Sequence, residues 1–359
     1  MKRGFLILLM FVAILQPIIA SNSAHDKEEG KIDAKEIIFS HLGDGYGWEV
    51  PFSHHHRIPL PIIIRDCNGD WHCFSSSRLA HGEKYNGFEI ASEGDFKGKV
   101  VGYTSQGEQY RPLDFSITKN VCALFITCLI VILCCMSVAR WHKKNGAKAP
   151  RRFVGAIEAL IAFIYDGVVK PTLKDKASKF APYLMTVFMF IFFMNILGLM
   201  VIFPGGANLT GNIAVTLVLS IMTFLVTNIF GTKHYWKDIF WPDVPLWLKF
   251  PLPIMPMIEI FGMFTKPAAL TVRLFANMMG GHMIIMVLTI LIFIFAAMGP
   301  AVTGTATVIS MVFQIFMLLI DVLVSFIQAY VFTMLSTIFI SLAQENPHHE
   351  HEVDITKGN

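Results

Sequence analysis

The chain has 359 residues, of which 54% are hydrophobic and only 15% are charged, with a formal net charge of +3 at pH 7. Soluble proteins carry about 25% charged residues, so this composition excludes a single soluble core and is typical of an integral membrane protein. A net charge this small gives no reason to expect a nucleic-acid partner.

Residues 1–20 begin with a basic pair and continue as an apolar run, a pattern typical of a signal peptide. Ala20 is the expected last residue before the cleavage site, but Ile18 fits poorly at the third position before it. An uncleaved anchor is therefore the alternative interpretation. Residues 21–118 are polar, with short apolar runs separated by Pro and Gly, and predict an exported segment that favours β-strands.

The exported segment contains two cysteines, Cys67 and Cys73, in the sequence DCNGDWHC. Outside the cytoplasm they are expected to form a disulfide or to remain as two thiols. A zinc site with His72 or with the histidines 54–56 is the alternative, although the spacing matches no zinc motif and the histidine run is more typical of a solvated loop. The other four cysteines lie in an apolar run and are expected to be small buried hydrophobic residues: Cys122, Cys128, Cys134 and Cys135.

The predicted membrane domain, residues 119–345, starts where the sequence becomes apolar. Its first span, about 119–140, is long enough to cross about 30 Å of hydrocarbon and ends beside Trp141 and a basic cluster. By the positive-inside rule, this end lies in the cytoplasm. Residues 152–170 have apolar residues at helical spacing interrupted by charged ones, which predicts an amphipathic helix on the cytoplasmic surface.

Two further spans are predicted at about 181–203 and 213–231, because no Asp, Glu, Lys or Arg occurs between Phe180 and Thr232. A turn rich in Gly and Asn at 204–212 separates these two spans. The basic, Trp-rich segment that follows the second of them is predicted to be another cytoplasmic interface.

The last two spans, about 254–298 and 303–343, are each longer than the bilayer is thick, so they must tilt, bend or lie partly in the interface. A polar tail, 346–359, follows and is expected in the cytoplasm. An exported start and a cytoplasmic end require an odd number of spans, which agrees with five. The predicted fold class is an all-α polytopic membrane protein with five transmembrane helices, one interfacial amphipathic helix and the β-leaning exported segment.

Arg273 lies deep inside an apolar helix, since only Arg273 and Asp321 are charged types between Pro267 and Gln344. An arginine at the middle of the bilayer costs about 3 kcal/mol on insertion scales, so it is a functional candidate. It lies about 20 residues into its helix, or about 30 Å along the axis, which makes snorkelling to the surface difficult. Asn277, four residues on, shares its face.

The last predicted helix carries polar residues at helical spacing along one face. They are Thr303, Thr307, Ser310, Gln314, Asp321, Ser325, Gln328 and Ser336. In lipid such a face must meet protein or water. Hydrogen bonding between helices accounts for the serines and threonines but not for Asp321. We therefore expect Asp321 and Gln328 to face the helix of Arg273 or a water-filled crevice.

The sequences KPAALTVRLFANMMGGH (266–282) and IDVLVSFIQAYVFTMLSTIFI (320–340) resemble the a subunit of F-type ATP synthase. The resemblance covers about 119–345, including FFMNILGLMVIFPG (192–205), and indicates a bacterial form with an exported N-terminal extension. It implies two long, tilted helices against a rotating ring of c subunits, with the b-subunit stalk and the other synthase subunits as further partners. It also implies transport of protons across the bacterial inner membrane, with no cofactor or metal and no enzyme activity of the chain alone.

The resemblance assigns roles to seven residues, beginning with Arg273, which matches the family's essential arginine. Asn277 and Gln328 match the polar companions of that arginine. His282 and Asp321 match a pair in the outward half-channel, here with the histidine on the first helix and the acid on the second. The remaining two matches are an acid on the cytoplasmic outlet side and a polar residue near the proton inlet, Glu259 and Asn195. The chain departs from some bacterial members at Gly198, where they have an aspartate.

Two other functions are weighed against this one. A self-contained secondary transporter could use Arg273 as an anion site, but it would usually carry an internal repeat, and none is visible. A membrane hydrolase could use histidines as metal ligands, but no HExxH motif occurs, and His282 has no second ligand at helical spacing.

Overall fold

The computed structural model describes residues 43–49, 57–67, 69–82, 84–91, 96–103, 109–146, 148, 150, 152–200, 206–240, 254–296 and 300–345. The expected signal peptide, the histidines 54–56 and the C-terminal tail lie outside these residues. Two compact units are distinguished. The first unit is Met1–Leu129, Met194–Leu209 and Met279–Leu323, and the second unit is Ile130–Phe193, Thr210–Met278 and Val324–Asn359.

The described residues of the segment expected to be exported fold as short antiparallel strands, which confirms the predicted β preference. The strands are β1 (Gly47–Glu49), β2 (Arg57–Pro59), β3 (Pro61–Arg65), β4 (Trp71–Ser75), β5 (Phe88–Ile90), β6 (Val100–Tyr103), β7 (Gln109–Tyr110) and β8 (Leu113–Asp114). They form three sheets, ordered β1–β2, β4–β3–β8 and β5–β6–β7. We call this part of the first unit the sheet domain.

Alternation along β3 explains why the sheet domain has a core. Ile62 and Ile64 are buried while Ile63 is half-buried, as expected for a strand with one face turned inward. The core comprises Tyr46, Ile62, Ile64, Phe74, Leu79, Phe88 and Val100. Cys67 and Cys73 are exposed and form no disulfide with each other. Among the described residues there is no cluster of His, Cys, Asp or Glu that could hold a metal ion, so the zinc alternative has no support there.

The rest of the described chain is helical. The helices are α1 (Lys119–Asn145), α2 (Arg152–Ile164), α3 (Lys170–Leu173), α4 (Ala177–Leu199), α5 (Ile213–Ile229), α6 (Lys233–Phe240), α7 (Ile254–Ala296) and α8 (Pro300–Gln344). A π-helical turn, Tyr165–Val169, joins α2 to α3, and a 3-10 turn, Lys174–Lys176, joins α3 to α4.

Four helical stretches in the described residues are long and apolar enough to cross a membrane: Lys119–Asn145, Phe153–Leu199, Met257–Leu291 and Gly304–Gln344. A fifth is formed if α5 and α6, which meet at an angle of 103°, are counted as one broken span. The chain is therefore a multi-pass, all-α membrane protein, which confirms the predicted fold class. The expected surface helix and second span follow one another without a loop, because only the π-helical turn, α3 and the 3-10 turn lie between them. Lys174, in the 3-10 turn, has a φ of 47°, which lies in the left-handed region.

The second unit has a core of aliphatic and aromatic residues. Ile157 and Ile164 of α2 pack in one cluster with Leu184 and Phe188 of α4 and with Phe332 of α8. These side chains are essentially inaccessible to solvent. The amphipathic helix therefore lies against the membrane helices with its apolar face.

The C-terminal end of α8 is fixed by hydrogen bonds from other elements of the second unit. Lys176 Nζ donates to the carbonyl oxygen of Gln344 at 2.6 Å. The backbone N–H of Thr232 donates to the carbonyl oxygen of Ala343 at 2.9 Å. The last carbonyls of a helix have no partner within the helix, so these bonds satisfy groups that would otherwise be left unpaired.

Candidate functional site

All seven residues that the sequence singles out lie in the described part of the chain. The first unit contains Asn195 of α4, His282 of α7 and Asp321 of α8. The second unit contains Glu259, Arg273 and Asn277 of α7, together with Gln328 of α8.

In the first unit, Asp321 lies directly against the backbone of α7. A Cβ added at Gly281 would lie 2.7 Å from Oδ1 and 3.1 Å from Oδ2 of Asp321. Only glycine leaves room for the carboxylate at this position. Gly281 immediately precedes His282, so the carboxylate of Asp321 contacts α7 one residue before the histidine.

The imidazole of His282 has its own backbone neighbour in the first unit. Its Nε2 lies 3.3 Å from the carbonyl oxygen of Gly198, near the end of α4. Asn195, three residues before that glycine, is 1% exposed. An imidazole and a carboxyl are the two side chains able to exchange protons near neutral or mildly acidic pH, and both lie in this part of the first unit.

The polar face of α8 points into the protein. Ser310, Gln314, Ser325, Gln328 and Ser336 are all buried, and Asp321 is half-buried. In the first unit, Gln314 Nε2 donates to Thr289 Oγ1 of α7 at 2.9 Å.

Two oxygens on this face have no hydrogen-bond partner among the described residues. They are Oε1 of Gln314 and Oδ2 of Asp321, and both are buried. A buried polar atom left without a partner costs about 1–3 kcal/mol. These oxygens therefore mark positions where a polar group or a proton would be bound favourably.

In the second unit, Arg273 lies outside the buried face of α7, about 100° around the helix from its centre. Leu270, Leu274 and Met278, at helical spacing, are buried, while Arg273 is exposed. Within the described ranges, the guanidinium has neither a hydrogen bond nor an ion pair. The permanently charged side chain of this apolar helix is thus available to a group outside the described chain.

Two exposed residues one turn away from Arg273 on α7 are small. Ala269 precedes Arg273 by one turn and Ala276 follows it by one turn, and both are exposed. Small residues let a second helix approach closely in a membrane. The face is therefore shaped for close approach to the arginine.

The other predicted companions of Arg273 do not bind it directly. Gln328 is 6% exposed, and its Nε2 has no hydrogen-bond partner in the part of the chain that the structure describes. Asn277 is half-buried and Glu259 is exposed. No hydrogen bond in the described ranges joins Arg273 to Asn277 or to Gln328.

A polar stripe on α5 was not predicted from the sequence. Thr216, Ser220, Thr223 and Thr227 are all buried. Ser220 Oγ lies 2.6 Å from Thr271 Oγ1 of α7, a normal hydrogen-bond distance for two hydroxyls. The spacing of these residues, in steps of four, three and four, is the signal that could have revealed the stripe.

A cavity of about 20 Å³ opens beside this stripe in the second unit. Its polar lining comes from three helices: Ser220, Thr223, Thr227 and Asn228 of α5, Tyr235 of α6 and Lys266 of α7. This volume is enough for about one water molecule. Along α7, the lining residues fall between Glu259 and Arg273.

Comparisons with known proteins agree with this picture. The family model described as ATP synthase A chain matches residues 121–341, and a second model, described as a domain of unknown function (DUF8433), matches residues 37–115. The chain is similar to the ATP synthase subunit a of Chlorobium phaeobacteroides, with 40% identity over 286 residues, 76% of this chain and 80% of the relative. It is 38% identical to that of Pelodictyon phaeoclathratiforme over 291 residues, 77% of this chain and 82% of the relative. The subunit a of Myxococcus xanthus is 37% identical over 248 residues, 67% of this chain and 77% of the relative.

Proposed function

The chain belongs to the ATP synthase A chain family, and from this premise we propose that it is the proton-channel subunit of an F-type ATP synthase. In this proposal it acts only as part of that complex. It forms the inlet and outlet half-channels, and its arginine couples proton flow to rotation of a ring of c subunits and to ATP synthesis. The observation that carries the proposal is the position of Arg273, exposed on an apolar helix with no ion-pair partner among the described residues.

The chemistry of Arg273 suits a fixed charge and not a proton relay. A guanidinium does not give up its proton in proteins. A nearby cation favours the ionised form of a carboxyl, so an acid on a moving partner loses its proton before it passes Arg273. A charge crossing the membrane potential is worth about 2.3 kcal/mol per 100 mV, and the arginine prevents that energy from being lost in a direct leak.

We assign the inlet half-channel to the group in the first unit. Asp321 and His282 transfer protons there, and Asn195, one turn before Gly198 on α4, adds a buried polar group. The contact of the Asp321 carboxylate with Gly281, one residue before the histidine, supports this assignment. So do the two buried oxygens, of Asp321 and Gln314, that no described residue satisfies.

We assign the outlet half-channel to the cavity beside α5. Its lining residues on α7 lie between Arg273 and Glu259, which is the acid expected on the outlet side. The hydroxyls of Ser220, Thr223 and Thr227 offer hydrogen bonds to a water or a hydrated proton along this route. Asn277 and Gln328 supply amide groups near the arginine in this proposal.

The partner that reaches Arg273 is the ring of c subunits, in our proposal. The exposed alanines at 269 and 276 allow a ring helix with its carboxyl to come close. The b-subunit stalk and the other synthase subunits complete the assembly. The basic end of α1, with His142, Lys143 and Lys144, lies on the cytoplasmic side of the bacterial inner membrane, and the sheet domain lies on the other side.

Purification of the tagged full chain from its own membranes in mild detergent tests the assembly. We expect a small, very apolar subunit with two helices to co-purify, together with the soluble synthase subunits and ATPase activity. A chain that purifies alone, and that transports an anion when reconstituted alone, would instead identify a secondary transporter.

A further inference from the structure

The outward face of the β4–β3–β8 sheet carries large apolar side chains. In an antiparallel sheet, directly paired residues lie on the same face, and so do residues two apart along a strand. Trp71 and Leu113 both pair with Arg65, while the neighbouring Ile64 is buried on the opposite face. Phe115 follows Leu113 by two residues in extended chain. Trp71, Arg65 and Leu113 therefore form one row across the outer side of the sheet. Phe115 lies on the same side, next to that row.

These residues form a continuous exposed cluster, which we call the aromatic patch: Trp71, Leu113 and Phe115, with Arg65 beside them. Trp71 is 59% exposed, and Leu113 and Phe115 are each 61% exposed. The rings of Trp71 and Phe115 are 5.6 Å apart, and the guanidinium of Arg65 lies 5.9 Å from the centre of the Trp71 ring. Clustered apolar residues on a surface, unlike single ones, mark a place of interaction.

The aromatic patch is bonded to the chain that starts the first membrane helix. The backbone N–H of Phe115 donates to Ile63 at 2.9 Å, and that of Ile117 donates to Pro61 at 3.2 Å, so this segment continues the sheet. The N–H of Lys119, the first residue of α1, donates to the carbonyl oxygen of Gly45 at 2.9 Å. Phe115 precedes Lys119 by four residues, a reach of at most about 14 Å.

We infer that the aromatic patch docks on the lipid surface of the membrane that α1 crosses. With the apolar part of α1 in the hydrocarbon, its first residue, Lys119, lies among the lipid headgroups, a layer about 5–8 Å thick on each side. Tryptophan and other aromatic residues favour this layer. The guanidinium of Arg65, beside Trp71, can bind lipid phosphates with two parallel hydrogen bonds.

Lipid is the expected occupant, and not another protein, because the four residues to Lys119 keep the patch within about 14 Å of the headgroup layer whatever else is bound. The inference goes beyond the proposed function. It concerns the part of the chain that matches a domain of unknown function, and it requires only that α1 spans the membrane.

A spin label at position 113 tests the docking in the full chain. The six native cysteines are replaced by serine or alanine, and Leu113→Cys is labelled with a nitroxide after reconstitution into vesicles of phosphatidylethanolamine and phosphatidylglycerol. The measured quantity is the collision rate of the label with oxygen, which dissolves in lipid, relative to that with a water-soluble nickel chelate. We expect this ratio to be several-fold higher than for the matched control Gln109→Cys, an exposed position on another sheet.

Equal ratios at the two positions would overturn the inference. A label at 113 that is open to the chelate in vesicles, and becomes shielded only when other subunits bind, would also overturn it and point to a protein partner. If the cysteine-free chain does not fold, a second measurement tests the docking without replacing any cysteine. Lipids brominated near the headgroup are expected to quench tryptophan fluorescence less in Trp71→Phe than in the unaltered chain, and equal quenching would contradict the docking.

Discussion

Gly281→Ala is expected to displace the carboxylate of Asp321 without disturbing the rest of the helix pair. The new Cβ would lie 2.7 Å from Oδ1 and 3.0 Å from Cγ, whereas ordinary contacts of such an atom begin at 3.4 Å. The carboxylate must therefore withdraw by about 0.7 Å, the difference between 3.4 and 2.7 Å. The atom that gives way is the end of a side chain, so we expect the chain still to fold and assemble.

The displacement is expected to impair proton transfer. A misplacement of reacting groups by about 1 Å can cost about a hundredfold in rate, so we expect ATP-driven proton pumping to fall by about tenfold to a hundredfold. The assay is the quenching of a pH-sensitive dye in inverted membrane vesicles, normalised to the amount of assembled complex.

Gly280→Ala is the matched control for this prediction. It makes the same substitution one residue earlier in the same helix, but a Cβ at that position meets nothing within 4 Å. Both variants gain the same helix propensity. The reasoning is refuted if Gly281→Ala pumps as fast as Gly280→Ala.

Three further predictions concern other parts of the chain. Alanine at both His282 and Asp321 should block pumping, whereas exchanging the two residues should retain some; an inactive exchange beside a fully active double alanine would contradict the pairing. Ser220→Val, which removes the hydroxyl bonded to Thr271, should slow pumping while leaving assembly intact, and a full rate would exclude the cavity from the outlet path. Burial, helped by a neighbouring carboxylate, raises the pKa of Tyr46 above its ordinary value of 10, so the neutral phenol's contribution to folding is complete below pH 10 and is lost as the pH rises towards the folded-state pKa. Alkaline unfolding of the sheet domain, followed by tryptophan fluorescence, should therefore depend less on pH in Tyr46→Phe.

The functional candidates with formal charge could be identified from the sequence because charged residues are costly, and therefore rare, in segments that span the bilayer. Arg273 and Asp321 are the charged types in a long apolar stretch, and the helical spacing of polar residues on α8 indicated which face turns inward. The burial of Gln314, Gln328 and Ser336 agrees with that expectation. These inferences needed only local spacing and the cost of burying charge.

Contacts between distant segments could not be predicted in the same way. In the sequence, nothing distinguishes Gly281 from other small residues on a membrane helix. Its importance depends on the contact with Asp321, forty residues later, which only the structure shows. The stripe on α5 was missed because hydroxyls carry no charge and can bond to their own helix, as Thr227 does to Thr223. Whether the stripe has a function depends on which side chains of α7 lie opposite it.

The sheet domain shows the same limit. Its β preference was visible in the sequence, but its strands are two to five residues long, and β8 pairs with β3 across about fifty residues. Which short strand pairs with which is decided by packing of the core around Ile62 and Phe74. The exposed face with Trp71 emerges only once that register is known.

Pumping by Arg273→Ala tests the central claim most directly. The variant is compared with Val272→Ala, an exposed, uncharged neighbour on the same helix, in inverted vesicles that contain equal amounts of assembled complex. We predict that ATP-driven proton pumping is abolished in Arg273→Ala and retained in Val272→Ala. Coupled pumping by Arg273→Ala at the rate of the unaltered chain would contradict the account.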